Sequence, residues 1–247
     1  MGQPTYSIII PAYNESLRLG ATLEAILAYA EQKRWEWELI VVDDGSRDNT
    51  KEIVQACIQK NSRVKLLENP GNHGKGYSVR NGMLQGRGEI LLFSDADLSS
   101  PIEEAEKLFA AIHNGADIAI GSRWLDPALL TRKQPIYRRI LSRIFNMSLR
   151  LVLGLKFKDT QCGFKAFSRQ SAQAIFPPQK VERWGFDPEI IYVAQRQGFK
   201  IVEVPVRWAH SAGTRLHPIR DGIHAFWDVL LIRWNALSGA YGKKHKI

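Results

Sequence analysis

The chain has 247 residues, 45% of them hydrophobic, and a net charge of +9. That balance suits one folded domain and excludes a disordered or low-complexity protein. Two cysteines, Cys57 and Cys162, exclude a disulfide framework and a cysteine-rich metal site, and fit a reducing compartment.

Taken in chain order, Tyr6–Pro11 reads as a buried strand and Ala12–Ser16 as a loop. Leu17–Lys33 carries Leu19, Leu23, Ile26, Leu27 and Ala30 at helical spacing. Glu38–Val42 is a second strand, cut off by Asp43-Asp44-Gly45-Ser46. Thr50–Asn61 is helical and Val64–Leu67 a third strand. A Gly-rich loop, Asn69–Gly76, leads into a helix ending near Gln85. Glu89–Phe93 is a fourth strand, ending at Ser94-Asp95-Ala96-Asp97. Pro101–Asn114 is a helix and Asp117–Gly121 a fifth strand.

Strands alternating with helices predict an α/β fold, a mostly parallel sheet with helices on both faces, within a single domain over 1–247. In such sheets ligands sit outside the carboxyl ends of the strands. The loops after the strands, including Ser122-Arg123, are therefore expected to gather at one edge. Past Arg123 the alternation gives way to two amphipathic stretches, near 134–154 and 218–238. The second places Ile219, Ile223, Phe226, Trp227, Leu230, Leu231, Trp234 and Leu237 on one wide stripe. Such stripes either pack against the domain or lie on a membrane surface.

The charge is concentrated. Between Pro127 and Lys158 stand eight Lys and Arg and no Asp or Glu, so this segment holds nearly all of the net +9. An anionic partner is expected there: phosphate, nucleic acid or lipid headgroups. No run of about 18 apolar residues suggests a membrane-spanning helix, and no signal-peptide pattern precedes the first strand.

Asp95-Ala-Asp97 at a strand end puts two carboxylates on one turn, a pair suited to Mg²⁺ or Mn²⁺, or alternatively to capping the next helix. Asp43-Asp44 has the same ambiguity. Asn72-His-Gly-Lys-Gly76 lacks the Walker spacing, although Lys75 can still approach a nucleotide. His73 reads as structural and Cys162 as packing. No GxSxG or HExxH pattern is present.

The ordered set is more specific than any member: Pro11-Ala-Tyr-Asn-Glu15, Val42-Asp-Asp-Gly-Ser46, Asn72-His-Gly-Lys-Gly76, Asp95-Ala-Asp97, Gly121-Ser-Arg123, Asp159-Thr-Gln-Cys-Gly-Phe-Lys165 and Trp184-Gly-Phe-Asp-Pro-Glu189. From about Tyr6 to Gly239 the sequence resembles glycosyltransferase family 2, and within it the dolichyl- and polyprenyl-phosphate glycosyltransferases. That resemblance implies a GT-A fold, a nucleotide-sugar donor and Mg²⁺ or Mn²⁺.

It further implies roles residue by residue. Pro11, Tyr13 and Glu15 match the base- and ribose-binding loop, and Asp43 and Asp44 the acidic pair after the second strand. Lys75 lies near the nucleotide. Asp97 matches the direct metal ligand, with Asp95 facing ribose or sugar. Ser99 stands where some relatives have a metal-binding Gln. Arg123, Arg138 with Ser142, and Arg215 match acceptor-phosphate positions. Asp187 and Glu189 match an element near the sugar. The two amphipathic stretches match helices that rest on anionic lipid, which implies a peripheral enzyme on the cytoplasmic face of a membrane.

The expected reaction is inverting transfer of a hexose to a polyprenyl monophosphate. The 159–165 and 185–189 elements look glucosyl-type, which favours UDP-glucose over GDP-mannose or a UDP-N-acetylhexosamine. A soluble polysaccharide or protein acceptor is the nearest rival. A basic nucleic-acid-binding protein is the non-enzymatic one, although the +8 segment resembles no recognised module and no nucleic acid is expected.

Overall fold

The computed structural model describes residues 3–130, 136–209 and 218–242, with side chains described except at 127, 136–143 and 218–223. Its centre is a seven-stranded sheet. The strands are β1 (Tyr6–Ala12), β2 (Trp37–Asp43), β3 (Val64–Glu68), β4 (Ile90–Ser94), β5 (Ile118–Ser122), β6 (Phe164–Ser168) and β7 (Ile201–Pro205). Their order is β3-β2-β1-β4-β6-β5-β7. All pair in parallel except β6, which runs against both β4 and β5.

The helices are α1 (Leu19–Gln32), α2 (Thr50–Lys60), α3 (Lys75–Gln85), α4 (Ala105–His113), α5 (Ile136–Leu153), α6 (Arg169–Ile175), α7 (Phe186–Arg196) and α8 (Pro218–Leu237). The sheet is apolar on both faces, so successive strand residues feed two different cores. Ile8, Ile10, Leu39, Val41 and Leu92 pack under α1, α2 and α4. Ile9, Ile40, Val42, Leu91 and Phe93 pack under α3 and α5 to α8.

The first five strands lie where the sequence predicts them. β6 and β7 are additional, and each has a physical reason for being hard to read. Phe164-Lys-Ala-Phe-Ser168 carries a lysine in a central strand, and Lys165 is fully buried. Ile201–Pro205 is a half-exposed edge strand ending in proline.

From Phe226 to Leu237 the apolar stripe of α8 faces away from the domain. Val229, Ile232 and Ala236 are buried, whereas Trp227, Trp234 and Leu237 are 64%, 68% and 70% exposed. Phe226, Leu230 and Leu231 are also exposed. α8 is therefore apolar on its inner and outer sides, and α5 behaves alike: Leu149 and Leu153 are buried, Ile144, Met147 and Leu151 exposed. Among the described residues no helix is long and apolar enough to cross a membrane.

Candidate active site

Because β1, β2, β4 and β5 run the same way, the loops that follow them meet at one edge, and hydrogen bonds tie them together. Asn14 N–H donates to Ser46 Oγ at 2.8 Å, and Arg47 N–H to Asn14 Oδ1 at 2.7 Å. Thr22 Oγ1 on α1 donates to Ala96 O at 2.6 Å. Asp95 N–H donates to Gly163 O at 3.1 Å, which docks the start of β6 on the turn after β4.

Two loops at this edge contain non-glycine residues in the left-handed region, Asn14 (φ 53°) and Leu98 (φ 44°). For an apolar residue such as Leu98 this conformation is strained, and strain of this kind collects at functional sites. Ser99 N–H donates to Asp97 Oδ1 at 3.0 Å, which closes the turn. The turn does not serve as a helix cap, because neither the following 3₁₀ turn at Ile102–Glu104 nor α4 receives a side-chain cap.

Both carboxylates of the turn face cations. Lys75, at the start of α3, is paired with Asp95, and Arg18 lies 3.5 Å from Asp97 Oδ2. Arg18 also grips Glu15, with Nη2 2.9 Å from Oε1. Burial works against the Lys75 charge, but Asp95 and Asp187 outweigh it and hold its pKa above the usual lysine range. The Lys75 ammonium also stands 5.3 Å from the ring of Trp184.

Behind this pair lies a second one. Lys165 is bonded to Asp187, at the first turn of α7, and donates to Cys162 O at 2.5 Å. Burial pushes Asp187 above the usual carboxylate range, against the pull of Lys165 and Lys75. Burial likewise lifts the Cys162 thiol to about 12. Cys162 is thus protonated and packed, as its place in the sequence predicts.

Arg123 leaves β5 and is clamped by Asp159, which accepts from Nε at 2.7 Å, Nη2 at 2.8 Å and the Arg123 amide at 3.0 Å. Asp159 is almost fully buried; desolvation alone would raise its pKa, but Arg123 holds it below the usual carboxylate range. Glu203 on β7 accepts from the Lys158 and Asp159 amides at 2.9 Å and so fixes the clamp from behind.

The remaining predicted residues fall into two groups. Pro11 pairs with Val42 one residue before the end of β1, and Tyr13 and Glu15 follow in the loop after it, part-buried. Asp43, Asp44 and Glu189 are buried, and their oxygens are engaged by protein. Asp43 accepts from Ser46 N–H at 3.1 Å. Asp44 accepts from Asn69 Nδ2, His73 N–H and Gly74 N–H at 2.8, 3.0 and 2.7 Å, and so shapes the loop that presents Lys75. Glu189 accepts from the Lys180 and Val181 amides and from Tyr241 Oη. The side chains of Arg138 and Ser142, and the whole of Arg215, lie outside the described residues.

Arg18 was not singled out from sequence, and Asp159, Gly163 and Lys165 stood only inside the 159–165 motif, with no role of their own. Gly163 admits no side chain, because a Cβ there would lie 2.2 Å from Asp95 Oδ2. Asp48 is a fifth such residue. It accepts from the Ser16 and Thr50 amides, both at 3.1 Å, and joins the first and second loops. Desolvation opposes its charge, but hydrogen bonds from the Thr50 and Ser16 side chains, with those two amides, outweigh that and lower its pKa from 3.8 to about 2.

A depressed carboxylate adds stability above its unfolded pKa and loses it as pH falls through the folded one. The wild-type chain should therefore lose stability between about pH 4 and pH 2 through this group. Asp48→Asn should flatten that part of the curve, measured by urea unfolding at each pH. An equal slope in the variant would remove Asp48 from the account.

Asp95 and Asp97 are the described residues fit to hold a divalent cation. They offer hard oxygen donors on one turn, at a place where two protein cations already answer their charge. Among the described residues no third His, Cys, Asp or Glu joins them. Such an ion would draw its other ligands from substrate and water.

A family model described as glycosyl transferase family 2 matches residues 7–176. A dolichyl-phosphate beta-glucosyltransferase of Trichomonas vaginalis is 42% identical over 221 residues, covering 85% of this chain and 65% of that protein. The dolichyl-phosphate beta-glucosyltransferase of Dictyostelium discoideum is 36% identical over 247 residues, covering 95% and 76%. Its human counterpart by name is 35% identical over 248 residues, covering 95% and 76%. Among solved structures, glucosyl-3-phosphoglycerate synthase from Mycobacterium tuberculosis in complex with UDP superposes with a TM-score of 0.71 at 19% identity, covering 94% of this chain and 80% of that one. The same enzyme has been crystallised with Mn²⁺ and UDP-glucose (TM-score 0.69, 18% identity, 93% and 79% covered).

Proposed function

The chain belongs to glycosyl transferase family 2, and on that premise we propose that it transfers glucose from UDP-glucose to a dolichyl-type polyprenyl monophosphate, with inversion at the anomeric carbon. The observation that carries this reading is the strained turn at the carboxyl edge of the sheet, where Asp95 meets Lys75 and Asp97 meets Arg18. The names of the relatives support glucose as the sugar and dolichyl phosphate as the acceptor. Neighbours that bind UDP-glucose and Mn²⁺ on the same fold support the donor.

Asp97 and Asp95 would hold Mg²⁺ or Mn²⁺, which when bound neutralises charge on the donor pyrophosphate. The chain adds fixed positive charge of its own. Lys75 and Arg18 flank the same turn, in a half-buried setting where electrostatic stabilisation is worth more than in water. Pro11, Tyr13 and Glu15 line the loop after β1 and are assigned to base and ribose. Asp43 and Asp44 act on the nucleotide through the loops that they hold.

A phosphate acceptor is already anionic near neutral pH, so the site needs cations to bring two anions together rather than a strong base. Arg123, fixed by Asp159, supplies one such cation, and Arg138, Ser142 and Arg215 are assigned to the acceptor phosphate on their family positions. Cys162 offers no thiolate and Asp187 is locked to Lys165, so a direct attack by an acceptor phosphate oxygen on the anomeric carbon is favoured over a covalent intermediate. The nucleoside diphosphate leaves from the opposite face.

The acceptor is a lipid, and the exposed apolar side chains of α5 and α8 suit a membrane surface. The two cysteines are free thiols, in keeping with the cytoplasmic side of that membrane.

The test is a donor-by-acceptor matrix. Purified protein with Mg²⁺ or Mn²⁺ is given radiolabelled UDP-glucose, GDP-mannose or UDP-N-acetylglucosamine and a polyprenyl phosphate in detergent. Label from UDP-glucose should enter the organic phase. Label from another donor would replace the sugar, and transfer only to a water-soluble acceptor would overturn the lipid half of the reading.

A further inference from the structure

Away from the carboxyl edge, a cavity of about 280 Å³ opens between the end of α5 and the flanks of α7 and α8. Leu153, Gly154, Tyr192, Gln195, Arg196 and Arg233 line it. Two arginines line this space and no Asp or Glu does. Their recorded partners are neutral: Arg233 Nη1 donates to Tyr192 Oη at 3.3 Å, and Arg196 Nη2 reaches Gly242 O only at 3.5 Å. Elsewhere comparable arginines do meet carboxylates, as Arg80 meets Glu182, Arg87 meets Glu38 and Arg207 meets Glu104.

Arg196 Nε is the second, independent sign. It is buried and has no hydrogen-bond partner among the described residues. A permanently charged N–H group without an acceptor is rare in folded proteins, and among the described residues no group of this chain answers it. Paired guanidinium forks match the geometry of phosphate oxygens. Neighbouring positions on α5 and α8 have the opposite character. Leu151 on α5 is 79% exposed, and on α8 Trp234 follows Arg233 while Leu237 lies one turn beyond, both largely exposed. A basic pocket between helices that expose apolar and indole side chains fits an amphipathic ligand, with its anion inward and its apolar part outward.

We propose that this cavity binds a phosphate group, supplied by the headgroup of an anionic membrane lipid beneath α5 and α8. It is a site separate from the acceptor phosphate. Arg196 ends α7, ten residues after the Phe186 that begins the helix beside the reacting edge, which is about 15 Å along its axis. The phosphate site requires neither donor nor acceptor; only its lipid source rests on the membrane reading above.

The test uses the full chain and two probes. One is inorganic phosphate against chloride at constant ionic strength, read as thermal stabilisation. The other is flotation with phosphatidylcholine vesicles, with and without phosphatidic acid. Wild type is compared with Arg196→Gln, Arg233→Gln and the double variant, and with Arg63→Gln as a charge-matched control on an exposed arginine just before the edge strand β3.

Each pocket variant should weaken binding to phosphatidic acid vesicles about fivefold, the effect of one surface cation against anionic lipid. The double variant should lose the phosphate stabilisation, and Arg63→Gln should match wild type. Arg196→Lys and Arg233→Lys keep the charge, lose the fork and retain part of the binding, which separates ligand loss from misfolding. Loss of phosphate stabilisation with vesicle binding intact would keep the site and make free phosphate its ligand. Pocket variants that behave as wild type in both arms, or an Arg63→Gln loss of equal size, would overturn the proposal.

Discussion

Asp97→Asn should reduce glucosyl transfer on the order of a thousandfold, about 4 kcal/mol of transition-state stabilisation. The substitution nearly preserves shape. Its Oδ1 can still accept from Ser99 N–H at 3.0 Å, so the turn around Leu98 should survive. What disappears is the negative charge that faces Arg18 and that would bind a divalent ion. The loss should fall mainly on kcat at saturating metal, with the melting temperature nearly unchanged. Asp95→Asn should be similarly damaging, and it also frees Lys75. Wild-type activity in Asp97→Asn at low metal would remove this residue from the reaction.

Gly163→Ala should be the most damaging single-methyl change in the site. The added Cβ would stand 2.2 Å from Asp95 Oδ2 and 2.5 Å from Asp95 Cγ, far inside van der Waals contact. Gly163 is also held at the start of β6, because its carbonyl accepts from Asp95 N–H. Neither side can retreat freely: β6 is a central strand, and Asp95 is tied to Lys75. Overpacking of this kind costs about 1–3 kcal/mol of stability. A displacement of about 1 Å in a catalytic group costs about a hundredfold in rate. Activity should therefore fall far more than the folded fraction, measured by kcat alongside urea unfolding. A variant with full activity would mean that the carboxylate position is not critical.

The parallel part of the sheet was open to sequence reading because each strand is a short apolar run ended by polar turn residues. The loops could be assigned to one edge for the same reason: parallel strands send their carboxyl ends the same way. The lysine in Phe164-Lys-Ala-Phe-Ser168 masks β6 until its partner is known. Only after α7 packs behind the sheet does Asp187 reach Lys165 and make that lysine tolerable in a core.

Sequence spacing located the acidic residues but did not reveal which partners take their oxygens. Asp44 and Glu189 are the clearest examples, since each spends its carboxylate on backbone amides several residues or a whole loop away. Arg18 has no local mark at all. It reaches Asp97 because α1 begins at the same edge where β4 ends. The wide stripe of α8 was visible as a pattern, but a helix that is apolar on two sides gives no clue from periodicity alone about which side meets the domain.

The reversed strand has an evolutionary consequence. Because β6 runs against its neighbours, the chain leaves the sheet at Arg123 and returns at Asp159 on the same edge, and the ion pair between those residues closes the excursion like a clasp. The segment from 124 to 158, including α5 and most of the chain's net positive charge, is hung between two adjacent strands. Such a cassette can be lengthened, shortened or exchanged while the strands on either side of it keep their register. This topology permits the 124–158 segment to vary independently of the sheet, and a graft of that segment between relatives should leave the strand pairing intact, read by the far-UV circular dichroism and urea unfolding of the chimera.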